Sequence, residues 1–168
     1  MTIATSTPYL ILRLGGEVVG VSLGEVREIV ALQAPTRVPS VPAWILGVVN
    51  LRGTVLPLID LGLKFAFGPT PLGVRACVVV VDLPHDGATA PMGVVAESVE
   101  DVTEVAPDEV DPVPPFGVSI RVEFLRGLVR RGERWIPLLA LAQVLSHDEL
   151  IAVSDTGADS VADDQGTT

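Results

Sequence analysis

Acidic side chains beside apolar segments are the first candidates for chemistry in this sequence. Asp60 directly follows the apolar run of residues 54–59, and Glu28 lies earlier in the chain beside Ile29. Two carboxyl groups brought together can act as general acid and general base, so Glu28 and Asp60 are one candidate catalytic pair. The competing interpretation is that Asp60 caps a short helical turn over residues 61–65 by accepting a backbone N–H. The pattern favours the cap.

Metal ligands and nucleophiles are scarce. The sequence has two histidines, His85 and His147, and one cysteine, Cys77. They do not form the ligand spacing of a transition-metal site, and a single cysteine excludes an intramolecular disulfide. Cys77 begins a valine-rich run, where an inert buried thiol is more typical than a nucleophile. We therefore expect no cofactor and no metal.

Charge and composition limit the partners. The chain of 168 residues carries a formal net charge of −10 and has only four Phe, two Trp and one Tyr. Excess negative charge disfavours binding to nucleic acid, and few aromatic side chains are available for base stacking. No apolar run is long enough to span a membrane, and residues 1–8 lack the features of a signal peptide. We expect a cytoplasmic protein without direct membrane insertion.

The elements that position these residues are predicted to be short strands. The chain contains 28 Val, 16 Gly and 14 Pro, and apolar runs surround the dipeptides Gly15-Gly16, Arg52-Gly53 and Arg131-Gly132. Such runs around short polar or Gly-containing turns are typical of β-hairpins. A capping-box pattern at Ser22 and Glu25, followed by apolar residues at helical spacing, predicts a short helix over residues 23–30.

An internal repeat links two parts of the chain. Residues 47–61 align with residues 127–141, and five of the fifteen positions are identical. Gly20-Val21 similarly matches Gly93-Val94. A shared order of short elements favours two related β units over chance similarity.

Residues 37–61 resemble the signature of CheW-like domains. That signature has a proline and an aromatic, here Pro42 and Trp44, before the segment from Gly47 to Leu61, and the match from Asn50 onward is close to complete. The resemblance covers about residues 9–145. The positions of its structural motif are Gly47, Asn50, Gly53, Pro57 and Asp60.

The resemblance implies an all-β fold of two packed, five-stranded SH3-like β-barrel subdomains with short helices. Subdomain one would span about residues 9–68 and subdomain two about residues 73–147, and an exchange of chain ends between them is left open. Residues 1–8 would form a flexible N-terminus. Residues 148–168 contain six acidic residues and no basic one, so we expect an acidic, largely disordered tail.

The resemblance also implies a non-catalytic signalling adaptor. Such a protein couples the cytoplasmic tips of chemoreceptors (methyl-accepting chemotaxis proteins) to the regulatory domain of the histidine autokinase CheA in a two-component chemotaxis pathway. It would be recruited to membrane-associated receptor arrays. The alternative is a small β-barrel ligand-binding protein or enzyme that uses Glu28 and Asp60.

The candidate receptor-coupling residues follow from the resemblance. Arg52 stands at the first position of a tight hairpin turn, where its side chain cannot belong to the core. The family associates receptor coupling with the residues matching Arg52 and Glu28, and we expect the two to lie close together. A candidate apolar docking surface is formed by Val26, Ile29, Leu46 and Val48.

Removal of the acidic tail should leave the fold intact. Residues 155–168 have no apolar periodicity, so their deletion should change the melting temperature by less than about 2 °C, in line with surface changes that contribute under about 0.5 kcal/mol. Differential scanning calorimetry of the full chain and of the truncated chain is the measurement. A larger decrease would show that the tail packs on the folded body.

Overall fold

A computed structural model describes residues 5–85, 87–114 and 120–145. These residues form two four-residue α-helices, α1 (Leu61–Lys64) and α2 (Leu141–Val144), and eleven strands. The strands are β1 (Thr7–Leu14), β2 (Glu17–Ser22), β3 (Val26–Ala31), β4 (Ile45–Leu51), β5 (Thr54–Ile59), β6 (Cys77–His85), β7 (Ala88–Ala96), β8 (Ser98–Val105), β9 (Val110–Asp111), β10 (Leu125–Arg131) and β11 (Arg134–Leu139). The predicted tail lies outside the described residues.

The strands form two sheets, which confirms the predicted all-β fold with few short helices. One sheet has the order β3-β6-β7-β5-β4, and the other has the order β8-β1-β2-β11-β10-β9. The second therefore has six strands, because the two-residue β9 adds to its edge. Each sheet ends in two edge strands, so neither is a fully closed barrel in the part of the chain described.

Each sheet contains one parallel strand pair. β11 pairs with β2 at Leu138 and Gly20, and β5 pairs with β7 at Leu58 and Gly93. A Cβ atom at Gly20 would lie 2.8 Å from Leu138 Cδ2, and one at Gly93 would lie 3.0 Å from Leu58 Cδ1. The same leucine–glycine contact thus occurs at the parallel strand pair of each sheet.

Matching β-bulges begin the two repeated hairpins. The register shifts between Ile45 and Gly47 in β4, and between Leu125 and Gly127 in β10. Gly47 and Gly127 have φ of 142° and 157°. A Cβ on Gly47 would lie 2.2 Å from the carbonyl oxygen of Thr36, whose N–H and C=O both bond to Val48. Glycine is required there because the backbones pass in direct contact.

Three hydrophobic clusters hold the sheets together. One fills the five-stranded sheet around Leu58, and another fills the six-stranded sheet around Leu138. The third and largest lies between the sheets, where Leu12, Val79, Leu61 and other buried side chains of both sheets meet. The two sheets therefore share this third cluster.

The helix predicted over residues 23–30 is wrong. Residues Leu23–Glu25 form a single 3₁₀ turn, and residues 26–31 continue as β3. Ser22 is buried and makes no side-chain capping bond. Val26, Glu28 and Val30 are half-buried while the residues between them are exposed, which is the two-residue period of a strand. Pairing with β6, a partner distant in sequence, decides the structure here.

Substitution of Gly47 by alanine should strongly destabilise the fold. The new Cβ would meet backbone oxygen, which cannot move aside as a flexible side chain could, so we expect a loss of more than about 2 kcal/mol. Gly16 is the matched control, since no atom lies within 4 Å of the position that a Cβ would take there. Urea denaturation should place Gly16→Ala within about 0.5 kcal/mol of the wild type. Equal losses for both variants would contradict the close approach.

Candidate functional site

An ion pair joins the two residues that the sequence analysis singled out. Arg52 Nη2 donates a hydrogen bond to Glu28 Oε2. Glu28 lies on β3 and Arg52 lies in the β4–β5 turn, so the pair connects the two edge strands of the five-stranded sheet. Their side chains are 27% and 66% exposed. The pair is therefore accessible to a partner at one end of this sheet.

The turn chemistry explains the position of Arg52. Arg52 and Gly53 are the two residues between the paired Leu51 and Thr54, and their φ angles are 50° and 86°. Positive φ at both positions is the requirement of a type I′ hairpin turn. The Gly53 N–H also donates to Asn50 Oδ1 at 2.9 Å. This hydrogen bond fixes the turn and directs the arginine away from the core.

A bulge in β3 explains the position of Glu28. The pairing of β3 with β6 shifts register between Val26 and Glu28. Val26 packs against the central core, whereas Val30 packs against the core of the five-stranded sheet. The bulge therefore changes which core the side chains of β3 face. Beyond it, Glu28 lies on the same face of β3 as Val30.

Two further charged residues, which the sequence analysis did not include in the site, lie beside this pair. Arg27 Nη1 is 3.7 Å from Asp82 Oδ1, and Arg27 lines the same small cavity as Glu28 and Arg52. The cavity has a volume of about 160 Å³, and its apolar walls include Leu56 and Val80. Arg27 occupies the bulge, and no local sequence pattern indicates such an irregularity.

The four apolar candidates do not form one surface. Val26 and Leu46 pack against different cores, and Val48 is half-buried beside Thr36. Only Ile29 among them is an exposed large side chain, at 46%. It lines a larger groove at the junction of the two sheets, with a volume of about 840 Å³.

Residues from four parts of the chain form this inter-sheet groove. β1 and the start of β8 form one side, and β3 and the start of β6 form the other, while residues 71–75 lie along the rim. Cys77 is half-buried in its wall, and burial raises the pKa of its thiol, which disfavours the reactive thiolate. The raised pKa is consistent with the expectation of an inert thiol, although the side chain is only half-buried.

Asp60 has a structural environment. Its carboxylate accepts hydrogen bonds from Leu63 N at 3.2 Å, Thr70 N at 3.0 Å and Thr70 Oγ1 at 2.6 Å. The residue is 2% exposed. Because these donors surround both oxygens and fix α1 to the loop before β6, Asp60 has no free position from which to exchange a proton with a substrate.

The described ranges contain no cluster of three or more His, Cys, Asp or Glu side chains able to hold a metal ion. They also contain no helix that is both long enough and apolar enough to cross a membrane.

Comparison with known proteins gives consistent relatives. The family model for the CheW-like domain matches residues 8–149. The chemotaxis protein CheW of Klebsiella aerogenes is 33% identical over 147 residues, covering 88% of this chain and 86% of that protein. The protein FrzA of Myxococcus xanthus is 31% identical over 150 residues, covering 87% of this chain and 89% of that protein. The crystal structure of the scaffolding protein TtCheW from Thermoanaerobacter tengcongensis has the same fold, with a TM-score of 0.76 and 23% sequence identity. The match covers 89% of this chain and 92% of that chain.

The Glu28–Arg52 pair should contribute little to folding. Exposed ion pairs are screened by solvent, so a double-mutant cycle of Glu28→Gln and Arg52→Gln should give a coupling energy below about 1 kcal/mol. Urea denaturation of the wild type, both single variants and the double variant measures it. A coupling energy well above this value would show that the pair stabilises the fold by joining β3 to the β4–β5 turn.

Proposed function

The chain belongs to the CheW-like domain family, and from this premise we propose that it is a non-catalytic signalling adaptor of a chemotaxis-type two-component pathway. In this role it couples the cytoplasmic tips of chemoreceptors to the regulatory domain of a CheA-type histidine kinase. The protein acts in the cytoplasm at membrane-associated receptor arrays.

The observation that carries this proposal is the Glu28–Arg52 ion pair at the end of the five-stranded sheet. Both side chains are held by local structure, a bulge for one and a type I′ turn for the other, and neither is part of a core. An exposed pair of this kind adds little to stability, so its value lies in presenting charges to a partner. Charges arranged in this way govern specificity and orientation of binding.

The alternative of an enzyme or small-ligand binder that uses Glu28 and Asp60 is not favoured. Asp60 is buried and its oxygens accept three hydrogen bonds, whereas Glu28 pairs with an arginine on another element. General acid–base catalysis needs groups within hydrogen-bond reach of a substrate proton. The environment of Asp60 lacks that access.

The test of the proposal is reconstituted kinase autophosphorylation with receptor-containing membranes. Arg52→Glu places two acids side by side and removes the cation offered to the receptor. We expect receptor affinity to fall about ten- to a hundredfold, on the order of 1–3 kcal/mol, with loss of receptor-dependent kinase activation. Kinase binding, measured by pull-down, and the melting temperature should change little.

Arg121→Glu is the matched control. The Arg121 side chain is 73% exposed and also pairs with a glutamate, Glu123, at 2.9 Å. The substitution therefore makes the same change in charge, at a similarly exposed position elsewhere in the chain. It should retain full activation. Full activation by folded Arg52→Glu would contradict the role of the ion pair. Loss of kinase binding with intact receptor binding would assign Arg52 to the kinase interface instead.

A further inference from the structure

A cluster of aromatic side chains beside α1 remains partly open to solvent. Phe65 is buried at its centre, and its ring centroid lies 5.8 Å from that of Phe67 and 6.1 Å from that of Phe124. Trp44, Phe67 and Phe124 are only half-buried, and all three pack against the central core. We call these three residues, together with Lys64, the Trp44 patch. Apolar surface gathered in one place is typical of a site that another segment covers.

Lys64 gives this patch a positive charge. Its Nζ atom lies 3.9 Å from the centroid of the Trp44 ring and 5.9 Å from that of the Phe124 ring. Arg121, at the edge of the patch, already pairs with Glu123 at 2.9 Å, so the charge there is balanced locally. A lysine above aromatic rings suits a segment in which an acid is followed by an apolar side chain.

The described part of the chain ends next to the Trp44 patch. The N–H of Ala140 donates to the carbonyl oxygen of Phe124 at 2.8 Å, which holds the start of α2 against the patch. Leu145 is buried in the cluster against which the patch packs. Residues 148–150, with the sequence Asp-Glu-Leu, follow shortly after it. An extended chain spans about 3.3–3.6 Å per residue, so their side chains are within reach of the patch.

We propose that residues 148–150 dock on the Trp44 patch of the same chain, with Asp148 and Glu149 at Lys64 and Leu150 against the Trp44 ring. Charge complementarity supports this occupant, because residues 148–168 contain six acidic residues and no basic one. A short tether also gives the acids a high effective concentration at the lysine, so a weak contact is sufficient. The docked segment shields the aromatic rings from water and from other partners. This contact is independent of the receptor and the kinase.

The fluorescence of Trp44 provides the test. The chain has two tryptophans, so Trp135→Phe leaves Trp44 as the only one. In this background, Asp148→Asn with Glu149→Gln keeps the size of both side chains and removes their charge. Docking should weaken about threefold to fivefold, as expected for the loss of a partly exposed ion pair. Quenching of Trp44 by acrylamide, which is uncharged, should increase, and its emission should shift to longer wavelength.

Asp163→Asn with Asp164→Asn is the matched control. It makes the same change in charge on two adjacent acids further along the same acidic segment. Quenching should stay at the level of the parent protein, and the same should hold for deletion of residues 155–168. Thermal melts of every variant exclude unfolding as the cause of an increase.

A second measurement follows the lysine itself. Lys64 is the only lysine of the chain, so mass spectrometry can separate its acylation from that of the α-amino group. The rate of acylation should increase about threefold when Asp148 and Glu149 are neutralised. In a Lys64→Gln background the same two substitutions should leave the quenching of Trp44 unchanged, because their partner is already lost.

Three outcomes would overturn the proposal. The first is equal quenching of Trp44 with and without the charges of Asp148 and Glu149. The second is an equal increase for the control at Asp163 and Asp164, which would show a general effect of tail charge. The third is quenching that depends on protein concentration, which would identify the tail of a second copy as the occupant.

Discussion

Direct backbone contact at two glycines governs the geometry of both sheets. At Gly47 the neighbouring carbonyl of Thr36 occupies the space of a side chain, and at Gly127 the backbone of Asp111 does the same. Each contact lies at the start of one of the two repeated hairpins. The bulges set the register of β4 and β10. That register in turn fixes the positions of the hairpin tips and of the short helices that follow the hairpins.

The candidate site follows from this register. With β4 fixed at Gly47, the tip of the hairpin carries Arg52 to the far edge of the sheet, where a second bulge turns Glu28 toward it. The two charged groups thus come into contact because of two bulges, one in β4 and one in β3. Bulges are common at such places because they redirect one side chain without disturbing the rest of the sheet.

Features set by neighbouring residues could be predicted from the sequence, and features set by distant partners could not. The Arg52-Gly53 turn is encoded by residues that tolerate positive φ, and Asp60 caps α1 as its position indicates. Residues 23–30, in contrast, carry an apolar spacing that suits a helix, and only β6 makes them a strand. The lining of the inter-sheet groove could not be predicted, because residues such as Ile29 and Glu97 are brought together by the packing of two sheets, which no local pattern encodes.

The division of the six-stranded sheet between two separate parts of the sequence has a consequence for the order in which the protein can be assembled on the ribosome. Strands β3 to β7 are contiguous in sequence, so the five-stranded sheet can form as soon as residues 26–96 have emerged. The six-stranded sheet needs β1 and β2 together with β8 to β11, so its first strands must wait, unpaired with β11, until synthesis reaches Leu139. Long-range pairing of this kind delays folding. The hairpin of β1 and β2 is thus the segment of the nascent chain that depends longest on protection from incorrect pairing.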